Sequence, residues 1–280
     1  MERFVLTSLG RRWRRCTGQA VALGRCLAGM AGGAWCNSPA TPAQRARGLV
    51  LMMPGVEGRA WQLGGMIAGL RDAGLDHAVD VAEWADYPFS SLENLRNLPR
   101  PRSRAAALAE RITLHRTTFP NSPVTLIGYS GGGGLALMTA ERLAPDVYVD
   151  RMILMAPAIS PGFDVAPALS RCRAGIVHFY SPGDWFMVGL CTRLFGTLDR
   201  VRSDSAGRVG FRNGDGGLCE HRGLTQIAYD PAWMRLDHDG GHFGWLARRW
   251  AREVLASTLL PSPQKHIASS PRDTEPAAGS

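Results

Sequence analysis

The chain has 280 residues, 45% hydrophobic and 20% charged, and that balance excludes a wholly disordered polypeptide. A chain of this length buries roughly three-quarters of its unfolded surface, so its folding does not depend on disulfides or metals. The formal net charge of +8 does not read as nucleic-acid binding: every basic residue but Lys265 is arginine, a bias expected of a GC-rich genome, and no nucleic-acid motif appears.

Residues 1–36 read as a separate leader, with six arginines against one acidic residue, Glu2. Arg11, Arg12, Arg14 and Arg15 precede a stretch, 16–35, in which Arg25 is the only charge, and small residues cluster at 31–34. A basic region, an apolar region and a small-residue exit describe a secretory signal or anchor, with Cys36 as a candidate lipidation site. Arg25 and the bulky Trp35 argue against it, and an amphipathic or disordered extension is the other reading. Export to a bacterial envelope or periplasm, or membrane association through this leader, therefore stays open against a cytoplasmic location. Cys16, Cys26 and Cys36 lie in the leader, and Cys172, Cys191 and Cys219 in the body, with no CxxC pair to suggest zinc or redox chemistry. Each body cysteine reads as a small buried hydrophobe, with pairing among the three left open.

A Pro-rich loop, 37–48, leads into Leu49-Val50-Leu51-Met52-Met53, an apolar run stopped by Pro54-Gly55, as expected of a strand buried on both faces. Residues 61–73 place Leu63, Met66, Ile67 and Leu70 on one helical face. A second strand is expected at 77–84, a loop at 86–101 and an alanine-rich helix at 102–119. The third strand, 124–128, precedes a helix at 131–143. Further strands are expected at 151–156, 175–180 and 224–229, and helices near 185–195 and 243–259. This alternation predicts an α/β three-layer sandwich around a mostly parallel sheet of about six strands, spanning 45–260. Residues 261–280, rich in Pro, Ser and Ala, are expected to be a disordered tail.

Gly128-Tyr129-Ser130-Gly131-Gly132 lies between a strand and a helix, the setting in which G-x-S-x-G forms a nucleophile elbow. The serine sits on a tight turn, and the flanking glycines are needed because side chains there would strike neighbouring backbone. A serine hydroxyl needs a base, and the base an orienting carboxylate, in the chain order Ser, Asp or Glu, His. Asp184 follows the fifth strand through Ser181-Pro182-Gly183, and His242 follows the last strand in Gly240-Gly241-His242-Phe243-Gly244-Trp245. Two rivals are His238 as base, expected to face solvent or Asp237 and Asp239, and Asp215 as acid, in a glycine-rich loop. His77, His178 and His221 read as structural.

With GYSGG, the SPGD turn and the GGHFGW loop in that order, the chain resembles the α/β-hydrolase family over roughly residues 48–258. The resemblance implies Ser130 as nucleophile, His242 as general base then acid, and Asp184 as the group that orients His242. It also implies a sheet trimmed of the fold's first two strands. The family places a His-Gly pair after its third strand. Here Pro54-Gly55-Val56 stands there, so the N–H groups of Val56 and Gly131 become the expected oxyanion hole, with the anchoring of that loop unexplained.

The short connection 157–174 leaves room for a flap rather than a cap. Trp185, Phe186, Met187, Leu190 and Phe195, in the larger insertion 185–223, read either as an acyl or aromatic pocket or as a helix packed on the sheet. Glu57 and Glu83, near strand ends, are further candidate substrate contacts. No cofactor or metal is expected: the one lysine lies in the tail, so there is no Walker-type loop, and no dinucleotide fingerprint follows the first strand. The expected substrate is a small-molecule ester or acyl compound, hydrolysed through an acyl-enzyme. A thioesterase or acyltransferase using the same residues, and a non-catalytic binding or envelope protein on this scaffold, are the alternatives.

Overall fold

The computed structural model describes residues 39–84 and 99–259. The leader 1–36, the tail 261–280 and most of the loop expected at 86–101 lie outside the described residues.

Six strands form one sheet: β1 (Leu49–Met53), β2 (Ala78–Val81), β3 (Val124–Tyr129), β4 (Arg151–Met155), β5 (Ile176–Tyr180) and β6 (Leu224–Ala228). They lie in the order β2-β1-β3-β4-β5-β6, and all five pairings are parallel. All five residues of β1 are buried. Successive side chains leave opposite faces of a strand, and the core divides accordingly. Leu49, Leu51 and Met53, with Leu126, Met152 and Leu154, join the core on one face. Val50, Met52, Ile127, Tyr129, Ile153 and Met155 join the core on the other. Each such side chain contributes roughly 1.5–3 kcal/mol by leaving water.

The helices are α1 (Pro42–Arg47), α2 (Gly64–Asp72), α3 (Pro99–Thr118), α4 (Gly131–Ala140), α5 (Ala166–Leu169), α6 (Cys191–Phe195), α7 (Ala206–Val209) and α8 (Arg248–Trp250). Helices α3 and α4 pack together on one face of the sheet, and α2 packs with the C-terminal helical segment on the other. Helix α4, between β3 and the rest of the chain, is buried along its whole length. Two glycines permit that. A Cβ on Gly132 would stand 2.1 Å from the Met53 carbonyl oxygen, and one on Gly128 2.5 Å from that of Gly132. The strand–glycine–helix joint is therefore closed too tightly for any side chain.

Several sequence expectations change: the strand expected at 77–84 spans only Ala78–Val81, and the helix expected at 131–143 ends at Ala140. The loop at 37–48 contains α1, because Thr41 accepts from the Gln44 N–H while the Gln44 side chain accepts from the Thr41 N–H, with Pro42 opening the helix. Helix α3 begins at Pro99, three residues earlier than expected. The helix expected at 185–195 is a wide turn, Phe186–Leu190, followed by α6. The helix expected at 243–259 is a chain of short turns, His242–Leu246, α8, Ala251–Leu255 and Ala256–Thr258.

Parallel strands in this order, with the elbow after β3, make the sheet of an α/β-hydrolase fold entered at that fold's third strand. Among the described residues, β2 is the edge strand on that side of the sheet.

Candidate active site

The turn after β3 puts Ser130 at φ 54°, ψ −120°, a left-handed conformation that is strained for a residue with a Cβ. The surroundings hold it there: its N–H donates to the Met155 carbonyl at 2.9 Å, and its carbonyl accepts from Gly133 N–H at 2.9 Å and Ala158 N–H at 3.0 Å. Three backbone bonds from α4, β4 and the turn after β4 thus over-determine a conformation the residue would not choose alone.

Asp184 follows β5 through the turn 181–184, and His242 opens the turn His242–Leu246 after β6. All three side chains are buried. His242 Nε2 lies 3.0 Å from Ser130 Oγ, and His242 Nδ1 lies 2.5 Å from Asp184 Oδ2. A carboxylate only accepts, so Nδ1 carries the ring proton and donates to it; Nε2 then accepts from the serine hydroxyl. The structure thus brings Ser130, His242 and Asp184 into one hydrogen-bonded chain in which the serine proton already points at a basic nitrogen.

Val56 and Gly131 also come together. A Cβ on Gly131 would lie 2.8 Å from Val56 Cγ1 and 3.3 Å from Val56 N, and one on Gly55 would lie 3.4 Å from Ser130 Cβ. Gly131 is the first residue of α4, so its N–H has no carbonyl one turn earlier to bind. The anchoring that the sequence left unexplained comes from Trp84. Its buried Nε1–H donates to the Pro54 carbonyl at 3.0 Å, its backbone N–H donates to the Gly58 carbonyl at 3.1 Å, and Gly58 N–H closes the loop on the Gly55 carbonyl at 2.7 Å.

Two more residues that the sequence did not single out hold the loop that carries His242. Ser181 donates from Oγ to the Gly240 carbonyl at 2.6 Å and accepts from Gly183 N–H at 3.2 Å, tying the turn that carries Asp184 to the loop that carries His242. Tyr129, the residue before the serine, donates from its hydroxyl to the His242 carbonyl at 3.1 Å.

His238 requires a correction. It was expected to face solvent or its flanking aspartates; instead it is fully buried. Asp237 adopts a left-handed conformation (φ 64°) at the end of the turn Pro231–Leu236, which swings the chain so that the next side chain enters a cage of Trp233, Trp245, Trp250 and Tyr229. There His238 Nδ1 accepts from Gly240 N–H at 3.1 Å, and burial pushes its pKa down to about 3. It is a neutral strut under the loop that carries His242. Asp215 sits in an exposed turn with Oδ1 accepting from Gly217 N–H at 2.9 Å, and it is Asp184 that meets His242.

Of the other histidines, His178 is buried in β5. Its Nδ1 donates to Gln226 Oε1 at 3.0 Å, an oxygen that also accepts from Phe211 N–H, and burial drives its pKa down to about 4. Glu83 is engaged with the adjoining loop, accepting from Ala60 N–H at 2.8 Å and pairing with Arg59 at 3.5 Å. Cys172, Cys191 and Cys219 are unpaired; Cys172 is buried, with its thiol pushed up to about 12 by desolvation, while the other two are only partly covered. Trp185, Phe186, Leu190 and Phe195 are exposed rather than packed on the sheet.

By sequence the chain matches no family model and no curated protein. By structure it is similar to a predicted CIB-like hydrolase from Thermoplasma acidophilum, at 14% identity over 78% of this chain and 88% of that one, with a TM-score of 0.41. It is similar to a lipase-esterase related protein from Clostridium acetobutylicum at 11% identity over 77% of this chain and 94% of that one, with a TM-score of 0.41. The NocB thioesterase domain, solved in covalent complex with a fluorophosphonate nocardicin G analog, is similar at 18% identity over 72% of this chain and 93% of that one, with a TM-score of 0.34.

Proposed function

We propose that the protein is a serine hydrolase that cleaves a carboxylic ester through an acyl-enzyme, with Ser130 as nucleophile, His242 as general base then acid, and Asp184 orienting His242. The observation that carries this reading is the hydrogen-bonded chain from Ser130 Oγ through the His242 ring to Asp184, at 3.0 and 2.5 Å. Ser130 Oγ attacks the ester carbonyl carbon as its proton passes to His242 Nε2. The resulting imidazolium is stabilised through Nδ1–H by the Asp184 carboxylate. Collapse of the tetrahedral intermediate breaks the C–O bond, and His242 returns the proton to the departing alkoxide. Water, deprotonated by His242, then attacks the acyl-enzyme and releases the acid and Ser130.

The oxyanion is assigned to the backbone N–H groups of Val56 and Gly131, where one donor contributes about 2.7–4 kcal/mol of transition-state stabilisation. A rigid, strained serine turn suits this chemistry, because the nucleophile pays no ordering cost at the moment of attack.

The test is labelling of the full-length protein with a fluorophosphonate probe, beside Ser130→Ala, His242→Ala and Asp184→Asn. Labelling should vanish in the first and fall sharply in the other two. A folded wild type that does not label would overturn the assignment and favour a binding role for the scaffold. A panel of esters, thioesters and acyl acceptors then separates an esterase from a thioesterase or an acyltransferase using the same three residues.

A further inference from the structure

Nine large hydrophobic side chains stand exposed among the described residues, and six of them fall between positions 185 and 201, directly after Asp184: Trp185, Phe186, Leu190, Leu194, Phe195 and Val201. Phe186, Leu190 and Leu194 recur every fourth residue and form one stripe along Phe186–Leu190 and α6, while Val188 and Thr192 turn inward at 1% and 4% exposure. Trp185 packs edge-on against Phe186, with ring centroids 5.7 Å apart. This short helical element shows water an apolar side, the reverse of the usual surface pattern.

The rim of the stripe is basic. Thr197 N–H donates to the Val201 carbonyl at 2.9 Å, and Gly196 lies against the backbone of Arg200 and Val201, so the chain folds back beside the end of α6 and presents Arg200 and Arg202 there. Both arginines are exposed, and neither meets a carboxylate among the described residues. Asp199, the acid between them and α6, is taken up internally by Ser160 N–H and by the Ser160 and Thr197 hydroxyls. Arg193, also exposed, adds a third guanidinium, shared with Asp204 at 2.6 Å. Arg200 keeps φ at 73°, a left-handed position that a glycine or asparagine would occupy more cheaply.

We propose that this face docks on an anionic lipid bilayer, with the aromatic and leucine side chains in the headgroup–acyl boundary and Arg200 and Arg202 against lipid phosphates. Charge selects this occupant: exposed guanidinium groups with no carboxylate partner among the described residues, at the rim of an apolar stripe, complement lipid phosphates, whereas a second copy would bring a second net-positive rim to the same contact. The element that carries the stripe is short and would lie along the surface; no helix among the described residues is long and apolar enough to cross a membrane. The element begins at Phe186, two residues after Asp184, so it also borders the candidate site. Docking brings that site to the lipid surface, and, resting on the hydrolase reading, the substrate is an ester carried in the membrane.

Full-length protein is cosedimented with vesicles of phosphatidylcholine alone and of equimolar phosphatidylcholine and phosphatidylglycerol, and the same samples are labelled in solution with the fluorophosphonate. The wild type should bind the anionic vesicles preferentially. F186S/L190S/L194S and R200E/R202E should each lose roughly tenfold or more of that partitioning, and R200E/R202E should do so while labelling at the wild-type rate. A wild type indifferent to anionic lipid would overturn the proposal. So would a triple variant that binds as the wild type does, which would assign the binding to another surface such as the arginine-rich N-terminal segment, and so would a wild-type dimer that the triple variant converts to a monomer. The expected vesicle binding in a protein that never labels would uphold docking and remove only the hydrolase reading.

Discussion

Ser181→Ala tests whether the acid and the base are aligned by the contact between their loops. The hydroxyl is fully buried, donates to Gly240 two residues before His242, and accepts from Gly183 one residue before Asp184. The two loops touch there, for a Cβ on Gly183 would stand 3.0 Å from the Gly240 carbonyl oxygen. Alanine leaves one buried carbonyl and one part-buried N–H without this partner. A buried group left so costs about 1–3 kcal/mol and a part-buried one less, so a stability loss of roughly 1–3 kcal/mol is expected after partial relaxation. Relaxation is what harms catalysis: displacing reacting groups by about 1 Å can cost 100-fold. On the proposed hydrolase reading, the expected outcome is kcat for ester hydrolysis reduced roughly 10- to 100-fold with KM changed by less than about threefold, because Ser181 holds the Asp184–His242 pair rather than the substrate. Urea denaturation and steady-state hydrolysis measure the two effects separately. A stability loss with unchanged kcat would refute the alignment argument and leave Ser181 as an ordinary buried hydrogen bond.

Two further perturbations probe the surroundings of the site. Trp84→Phe keeps a ring in place but removes the donor to the Pro54 carbonyl; it should cost about 1–3 kcal/mol of stability and slow acylation by fluorophosphonate roughly tenfold as Val56 drifts, and an unchanged acylation rate would show that the loop holds itself. The pH prediction concerns His178 and His238, buried neutral with pKa values pushed down to about 4 and about 3. Unfolding returns both to about 6.5, so the unfolded chain binds more protons below that pH. Their contribution is therefore complete above pH ~6.5 and is lost as pH falls, by about 2 kcal/mol for each histidine at pH 5. Urea midpoints should drop between pH 7 and pH 5, and the drop should shrink in His178→Gln; equal midpoints would contradict it.

Much of the sheet was legible because its strands are short apolar runs between turn residues, and β1 matched its expected limits residue for residue. The elbow was legible for a local reason too: G-x-S-x-G compresses the requirement that Gly128 and Gly132 touch backbone into five positions. The order along the chain left Asp215 and His238 as rivals to Asp184 and His242, and only the fold separates them, by placing Asp184 and Ser130 on the two nitrogens of His242. Helix α1 carried a readable capping box, Thr41 to Gln44, that the Pro- and Ala-rich composition around it obscured. His238 was misplaced because its neighbours in sequence are aspartates, whereas its neighbours in space are tryptophans brought from both sides of it. A single left-handed residue, Asp237, decides between the two, and no spacing rule announces it.

The supports of the site escaped for a more general reason. Trp84, Ser181 and Tyr129 each donate a side-chain hydrogen to a backbone carbonyl, across separations of 30, 59 and 113 residues respectively. A carbonyl belongs to every residue type, so the accepting end of such a bond leaves no mark in the sequence, and only a pattern in the donors could have revealed it. Tyr129 shows the limit most clearly. It occupies the variable position of the elbow motif, where any residue satisfies the pattern, and its alternation in β3 sends its ring into the core under His242. A phenylalanine there would fill the same volume and satisfy the same motif, yet it would leave the His242 carbonyl without this donor in a buried loop. The motif specifies what the nucleophile needs from its backbone. What the base needs is specified by the fold, through residues that the motif leaves blank.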